Sequence, residues 1–132
     1  MSETTTTAPG SVNSFGLLIQ PTGTFRLLTW QPVNTPHHAL CCDLARPVDL
    51  TTALTMWVDQ DAAAHGAQPN RAITGLLGLY QPTPQTYCGD VVFTGTPDAQ
   101  GGADGMTRDQ AIALLTLYSE LGAPSLLPRP RR

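Results

Sequence analysis

Twelve glycines and twelve prolines are spread through this 132-residue chain, and they set where regular structure can begin and end. Proline fixes φ and removes a backbone donor, while glycine opens positive φ, so helices and strands are confined to the runs between such residues. The breaks fall at Pro21-Thr22-Gly23, across Gln31 to Pro36, at Arg46-Pro47, around Gly66, across Gln81 to Gln85, at Gly89 and Gly95, and at Gly122.

The hydrophobic period reads the segments between them. Phe15 to Gln20 and Phe25 to Trp30 flank the first break as two strands of a β-hairpin whose glycine takes positive φ. His37 to Leu44 fits a short helix or a strand, and Arg46-Pro47 stops helix there. Leu54 to Val58, apolar and partly β-branched or aromatic, predicts a strand ending at Asp59, with Ala62 to Gln68 a loop or turn. Pro69-Asn70 reads as a helix start with Asn70 as its cap, because Ile73, Leu76, Leu77 and Tyr80 recur at i, i+3, i+4 and i+7. Gly75 and Gly78 weaken that helix by about 1 kcal/mol each relative to Ala, and are expected to allow close packing on the sheet. Gly89 to Gly95 is a compact apolar strand, expected at the centre of the sheet, and Thr96 to Gly105 is loop by composition. Thr107-Arg108-Asp109-Gln110 is a capping box, after which Ala111, Leu114, Leu115, Tyr118 and Leu121 share one helix face. Together these predict an α+β fold: a two-layer domain with an N-terminal β-hairpin and a mixed sheet on which two main helices pack. That domain spans residues 14–122, between an N-terminal tail (1–13) too polar to order and a Pro/Arg-rich C-terminal tail (123–132).

Charge narrows the partners. Only 13% of residues are charged, roughly half the ~25% usual for a soluble domain. Ten acids against seven bases leave a net charge of −3, and three of the bases, Arg129, Arg131 and Arg132, lie in the last four positions. The folded part is therefore more acidic than the total, which excludes a surface built throughout for nucleic acid and disfavours an acidic membrane. No apolar run approaches the ~20 residues of a membrane span, the N-terminus lacks the basic and apolar regions of a signal peptide, and three cysteines, two of them adjacent, make no disulfide framework. A soluble cytoplasmic protein is expected.

Three motifs in order carry a resemblance: Met56-Trp57-Val58-Asp59-Gln60-Asp61, then Gln68-Pro69-Asn70-Arg71-Ala72-Ile73-Thr74, then Gly89-Asp90-Val91-Val92-Phe93-Thr94-Gly95. The chain resembles the domain-of-unknown-function family numbered 3846, small proteins of bacteria, their phages and plasmids. There, a strand runs into an acidic turn, a Pro-x-Asn precedes an Ala-Thr helix, and a Gly-x-Val-Val-x-x-Gly strand leads to a last helix. Gln60 and Ala62-Ala63-Ala64 depart from that turn, and Ile73 separates Ala72 from Thr74. The resemblance covers roughly residues 15 to 121 and brings no activity with it. It implies an accessory factor of the kind mobile elements carry, or one directed against host defence.

Candidate chemistry is sparse. Asp59, Asp61 and Asp90 converge if the strands ending at Asp59 and starting at Asp90 are neighbours, which suits acid/base work or a divalent metal; the plainer reading is that acids at strand ends face water or cap turns. Asn70 is either a helix cap or, with Asp59 and Asp90, part of a ligand pocket. His37, His38, Cys41 and Cys42 would pair at i, i+4 on a helix as weak metal candidates, against the plainer reading of small buried thiols. A cysteine nucleophile would need a base and activation that spacing does not show. The run Gln100 to Gly105 lacks the Lys-Ser/Thr of a phosphate loop. Trp30, Trp57, Phe93, Tyr80 and Tyr118 fall on inward positions as core, and Arg129, Arg131 and Arg132 offer only weak, salt-sensitive contact to nucleic acid. The expectation is a non-enzymatic protein without a cofactor, binding another macromolecule, most simply a protein, and capable of forming a homodimer. The alternative is a small-molecule or nucleotide binder or hydrolase with a pocket near Asp59, Asn70 and Asp90.

Overall fold

Gly23 makes the first turn. It sits at φ 93°, its N–H donates to Gln20 O at 2.8 Å, and Gln20 N–H donates to Thr24 O at 2.9 Å. A three-residue loop closed by such a glycine matches the twist of the strands it joins. It pairs β1 (Phe15–Ile19) antiparallel to β2 (Phe25–Thr29), with Leu17 opposite Leu27. The computed structural model describes residues 14–31, 35–83, 85–97 and 103–122. The expectations for the two tails, and for much of the glycine-rich run at 100–105, lie outside the described residues.

The ambiguous stretch His37 to Leu44 is helical only as far as Leu40, and a strand not expected from the sequence follows it. Helix α1 (Pro36–Leu40) starts where Thr35 Oγ1 accepts the His38 N–H at 3.2 Å, and stops at Cys41, whose φ of 53° cannot continue it. Strand β3 (Ala45–Thr51) follows and pairs only with β4 (Leu54–Asp59). A tight 3-10 turn, Arg71–Ile73, runs into α2 (Thr74–Leu77), a single turn and so shorter than the spacing of its apolar residues implies. Strand β5 (Val91–Thr94) and helix α3 (Arg108–Leu117) complete the fold, the helix loosening into a π turn at Tyr118–Gly122.

The sheet order is β2-β1-β5-β4-β3, with β5 at its centre. All four pairings are antiparallel, which corrects the expectation of a mixed sheet. The reason is where the chain returns: β4 ends at Asp59 and β5 begins at Val91 on the same end of the sheet, so residues 60–90 need not cross its length as a parallel connection must.

Alternation along the strands builds a core on each face. On one face Leu17, Ile19, Met56, Val58, Val91 and Phe93 pack with Ile73, Leu76 and Leu77 beside α2, and with Met106, Ala111, Leu114 and Tyr118 of the last helical segment. On the other, Leu18, Trp57 and Val92 pack with Trp30, Leu40 of α1 and Ala103. The capping box holds the start of α3, Gln110 N–H donating to Thr107 Oγ1 at 3.1 Å, and Gln110 Nε2 reaches on to Ala53 O at 2.7 Å. At the far end the Tyr118 hydroxyl donates to Gly23 O, and its ring meets Phe25 edge-on at 5.9 Å. The helical segment thus spans the face from the β3–β4 turn to the β1–β2 turn. Among the described residues no helix is long and apolar enough to cross a membrane.

Two outcomes follow from this packing. A Cβ on Gly75 would stand 2.3 Å from Leu121 O, whereas one on Gly78 meets nothing closer than 3.4 Å; Gly75 therefore serves the contact of α2 with the C-terminal turn, not with the sheet. Gly75→Ala is expected to lower unfolding free energy by about 1–3 kcal/mol through overpacking, and Gly78→Ala to leave it level or raise it by about 0.4–1 kcal/mol, both read from urea midpoints. Burial pushes the Tyr118 hydroxyl above its ordinary range, so the fold favours the protonated phenol. Its contribution is whole below about pH 10, the unfolded value, and is lost as pH rises through the higher folded one. Tyr118→Phe should cost about 0.5–1.5 kcal/mol at pH 7 and flatten the loss of stability above pH ~10, leaving the share owed to Tyr80, also raised by burial.

Candidate functional site

The register of β4 on β5 runs to Val58 opposite Val91, so Asp59 and Asp90 each lie one residue beyond the last pair. One Asp59 carboxylate oxygen, Oδ1, accepts the Asp61 N–H at 2.9 Å, and Asp59 O accepts the Ala62 N–H at 3.1 Å. Asp59 therefore anchors the turn that leaves β4, in the way a carboxylate closes a local turn. Both it and Asp90 keep partial exposure to water.

Asn70 arrives at the same end of the sheet but does not face outward. It is 2% exposed, and its Nδ2 donates to Ile19 O at 3.0 Å and to Gly89 O at 2.9 Å, while its backbone N–H donates to Tyr87 O at 2.7 Å. It makes no side-chain cap to the following 3-10 turn, which corrects the helix-cap reading. The amide instead clasps three pieces of chain: the end of β1, the 87–89 segment and the entry to α2. Gly89, at φ 82°, donates its own N–H to Gln68 O at 2.7 Å and completes that join. Asn70 Oδ1 is buried without a partner. Of the three residues singled out from sequence, Asp59 and Asp90 are half-buried at the ends of their strands, and Asn70 is buried with its Nδ2 donors spent on carbonyls.

The cysteine and histidine cluster is arranged differently from a helical ligand pair. Cys41 lies past the end of α1 in the left-handed region, where the i, i+4 spacing no longer brings side chains together. The Cys42 thiol is pushed up, first by burial and then by the negative charge of Asp59, with the Leu44 backbone opposing. A raised thiol is a poor nucleophile at neutral pH. Among the described residues no three His, Cys, Asp or Glu side chains are gathered as a metal would need.

A hollow lies at the opposite end of the sheet. It measures about 460 Å3 and is lined by Asp49, Thr51, Thr55 and Thr96 with neighbouring apolar atoms. Its hydroxyls are turned to the protein: Thr55 Oγ1 donates to Asp49 Oδ1 at 3.5 Å and Thr96 Oγ1 to Thr52 O at 3.4 Å. Sequence reading missed this cluster, whose only signal is the density of threonine around the β3–β4 turn.

The family model described as a domain of unknown function, DUF3846, matches residues 14–119. The chain belongs to that family. No curated protein and no solved structure matches it. The DUF3846 match takes in all five strands and α3, so the Asn70 clasp and both sheet edges are parts of the family domain.

Those edges differ in kind. Gln60 N–H donates to Leu44 O, which turns residues 45, 47 and 49 of β3 outward by alternation; the middle one is Pro47, with no N–H to offer, flanked by exposed Arg46 and Asp49. Proline and charge are how edge strands are kept from pairing. Strand β2 has neither proline nor acid, and Phe25 and Leu27 are 43% and 45% exposed on it. The signal missed in the sequence is that contrast, visible only once the strand order is known.

Removing the clasp should be costly. Asn70→Ala removes the amide's bonds to Ile19 O and Gly89 O and is expected to lose about 1–3 kcal/mol. Asn70→Asp should lose more at pH 7 than at pH 4, because a carboxylate beside carbonyl oxygens has no donor unless protonated. Denaturant titrations at the two pH values check both.

Proposed function

We propose that the protein is a small non-enzymatic accessory factor that works by binding another protein chain at the open edge of its sheet. The observation supporting this is β2, an edge strand that lacks the proline and acid found on β3 and displays half-exposed Phe25 and Leu27. An extended chain added there would gain backbone hydrogen bonds and bury both side chains, the arrangement of β-strand addition. A setting in the cytoplasm, on a mobile element or in its contest with host defence, belongs to the same proposal. The test is capture: tagged protein incubated with native lysate should enrich a protein partner, and Leu27→Lys should abolish the enrichment while leaving the melting temperature within a few degrees. Capture that survives this substitution would remove β2 as the binding surface.

A second reading, a small-molecule or nucleotide site near Asp59, Asn70 and Asp90, has one observation in its favour: Asp59 and Asp90 each lie one residue beyond the last pair of the neighbouring strands β4 and β5. Against it, the Asn70 amide donates to Ile19 and Gly89 and not toward solvent. Since a ligand bound only by the folded state raises the melting temperature, millimolar nucleotides or divalent cations are expected to leave it unchanged. A rise that Asp90→Asn removes would promote this reading over the first.

A further inference from the structure

We infer that the chain which pairs with β2 is a second copy of this protein, added antiparallel about a two-fold axis at Leu27 to make one continuous ten-stranded sheet. The inference rests on the reading of β2 as the binding edge. Gln20 N–H donates to Thr24 O, and Trp30 N–H donates to Ser14 O. In the same register Leu18 faces Arg26 and Gly16 faces Leu28, so the backbone groups of residues 24, 26, 28 and 30 point to β1. By the alternation of antiparallel pairs, the N–H and C=O of Phe25, Leu27 and Thr29 point out of the sheet.

That outward row is its own complement. With Leu27 opposite Leu27 of the second copy, Phe25 stands opposite Thr29 and Thr29 opposite Phe25. Each is a pair in which both residues exchange N–H and C=O, so all the outward groups are used in six hydrogen bonds. Within the strand itself, Phe25–Thr29, shifting the axis by one residue in either direction leaves two such pairs. One of those shifts also sets Arg26 against Arg26, the strand's single charge against itself, whereas the Leu27 axis places Arg26 opposite Leu28. Charge and hydrogen bonding therefore select the same register.

The side chains agree with it. Phe25 and Leu27 lie opposite Ile19 and Leu17, both members of the core on the α3 face. They therefore project to that face, and directly opposed residues of an antiparallel pair share a face. Two Phe25 and two Leu27 side chains would meet there, covering apolar surface that the single chain leaves 43% and 45% exposed. Edge β3 cannot reproduce this contact, because Pro47 interrupts its outward row of donors. A single strand pair falls at the small end of stable interfaces, near 1,200 Å2 or less, so the dimer is expected to dissociate on dilution.

The test is the mass of the full chain in solution, by analytical ultracentrifugation from about 1 μM to 1 mM. Wild type should pass from monomer to dimer over this range. Leu27→Lys and Leu27→Glu should each weaken association by at least about tenfold, since like charges would meet at the axis. An equimolar mixture of the two variants should recover it, because opposite charges then meet at the axis. Amide hydrogen exchange adds an independent reading: Phe25, Leu27 and Thr29 should gain protection with concentration, while Arg26 and Leu28 stay protected throughout. Wild type that remains monomeric at 1 mM, or variants that fail to recover as a mixture, would overturn the inference. Monomeric protein whose β2 amides are protected by a captured partner would leave the edge as a binding surface and remove only the second copy. Capture unaffected by Leu27→Lys would remove both.

Discussion

Everything in this fold is arranged to hide β5. Val91, Val92, Phe93 and Thr94 are each fully buried, which requires a neighbouring strand at both sides and packed side chains on both faces. Strands β1 and β4 supply the backbone partners, the α2 and α3 segments cover Val91 and Phe93, and α1 with the two tryptophans covers Val92. The one hydroxyl in the strand is satisfied in place: Thr94 Oγ1 accepts from Trp57 Nε1 at 2.9 Å and donates to Gly95 O at 3.1 Å. A buried polar group left unpaired would cost about 1–3 kcal/mol, so this pair is a condition for threonine at the centre of the sheet. Trp30 is held likewise, its Nε1 donating to Ala103 O at 2.9 Å.

The parts of this arrangement that could be read from sequence are those governed by local geometry. Gly23 at its turn, the capping box at Thr107 and Gln110, and the glycine-bracketed strand around Val91 to Thr94 each depend on residues a few positions apart. The parts that could not are those governed by position in the sheet. Pro47 argues against a strand anywhere but an edge, and nothing near it in the chain says that Ala45 to Thr51 will be one. The antiparallel direction of β5 depends on where residues 60–90 return, which no periodicity records. Asn70 carries the signature of a cap, yet the carbonyls that claim its amide belong to Ile19 and Gly89, 51 and 19 residues away.

The same division applies to function. The convergence of Asp59 and Asp90 was conditional on their strands being neighbours; β4 and β5 are neighbours, with Val58 opposite Val91 as the last pair. What sequence could not weigh was how little of the Asn70 amide is left for a ligand. Nor could it weigh the two edges, since Phe25 and Leu27 look like core residues of a hairpin until β2 is placed at the end of the sheet that the described residues form. In a chain with few charges, β2 keeps two large apolar side chains, Phe25 and Leu27, exposed to water.

The central strand is also the last strand among the described residues. The two hairpins, β1–β2 and β3–β4, are complete by Asp59, but they are joined in one sheet only when residues 91–94 arrive between them. During synthesis their inner edges, with Leu17, Ile19, Met56 and Val58, wait uncovered, and the contact of Leu17 with Phe93 closes a loop of more than seventy residues. Such long-range closure slows folding and leaves unpaired strands open to wrong neighbours. The order in which this chain is made thus leaves it, for a time, as two separate hairpins that need to be kept apart from other sheets.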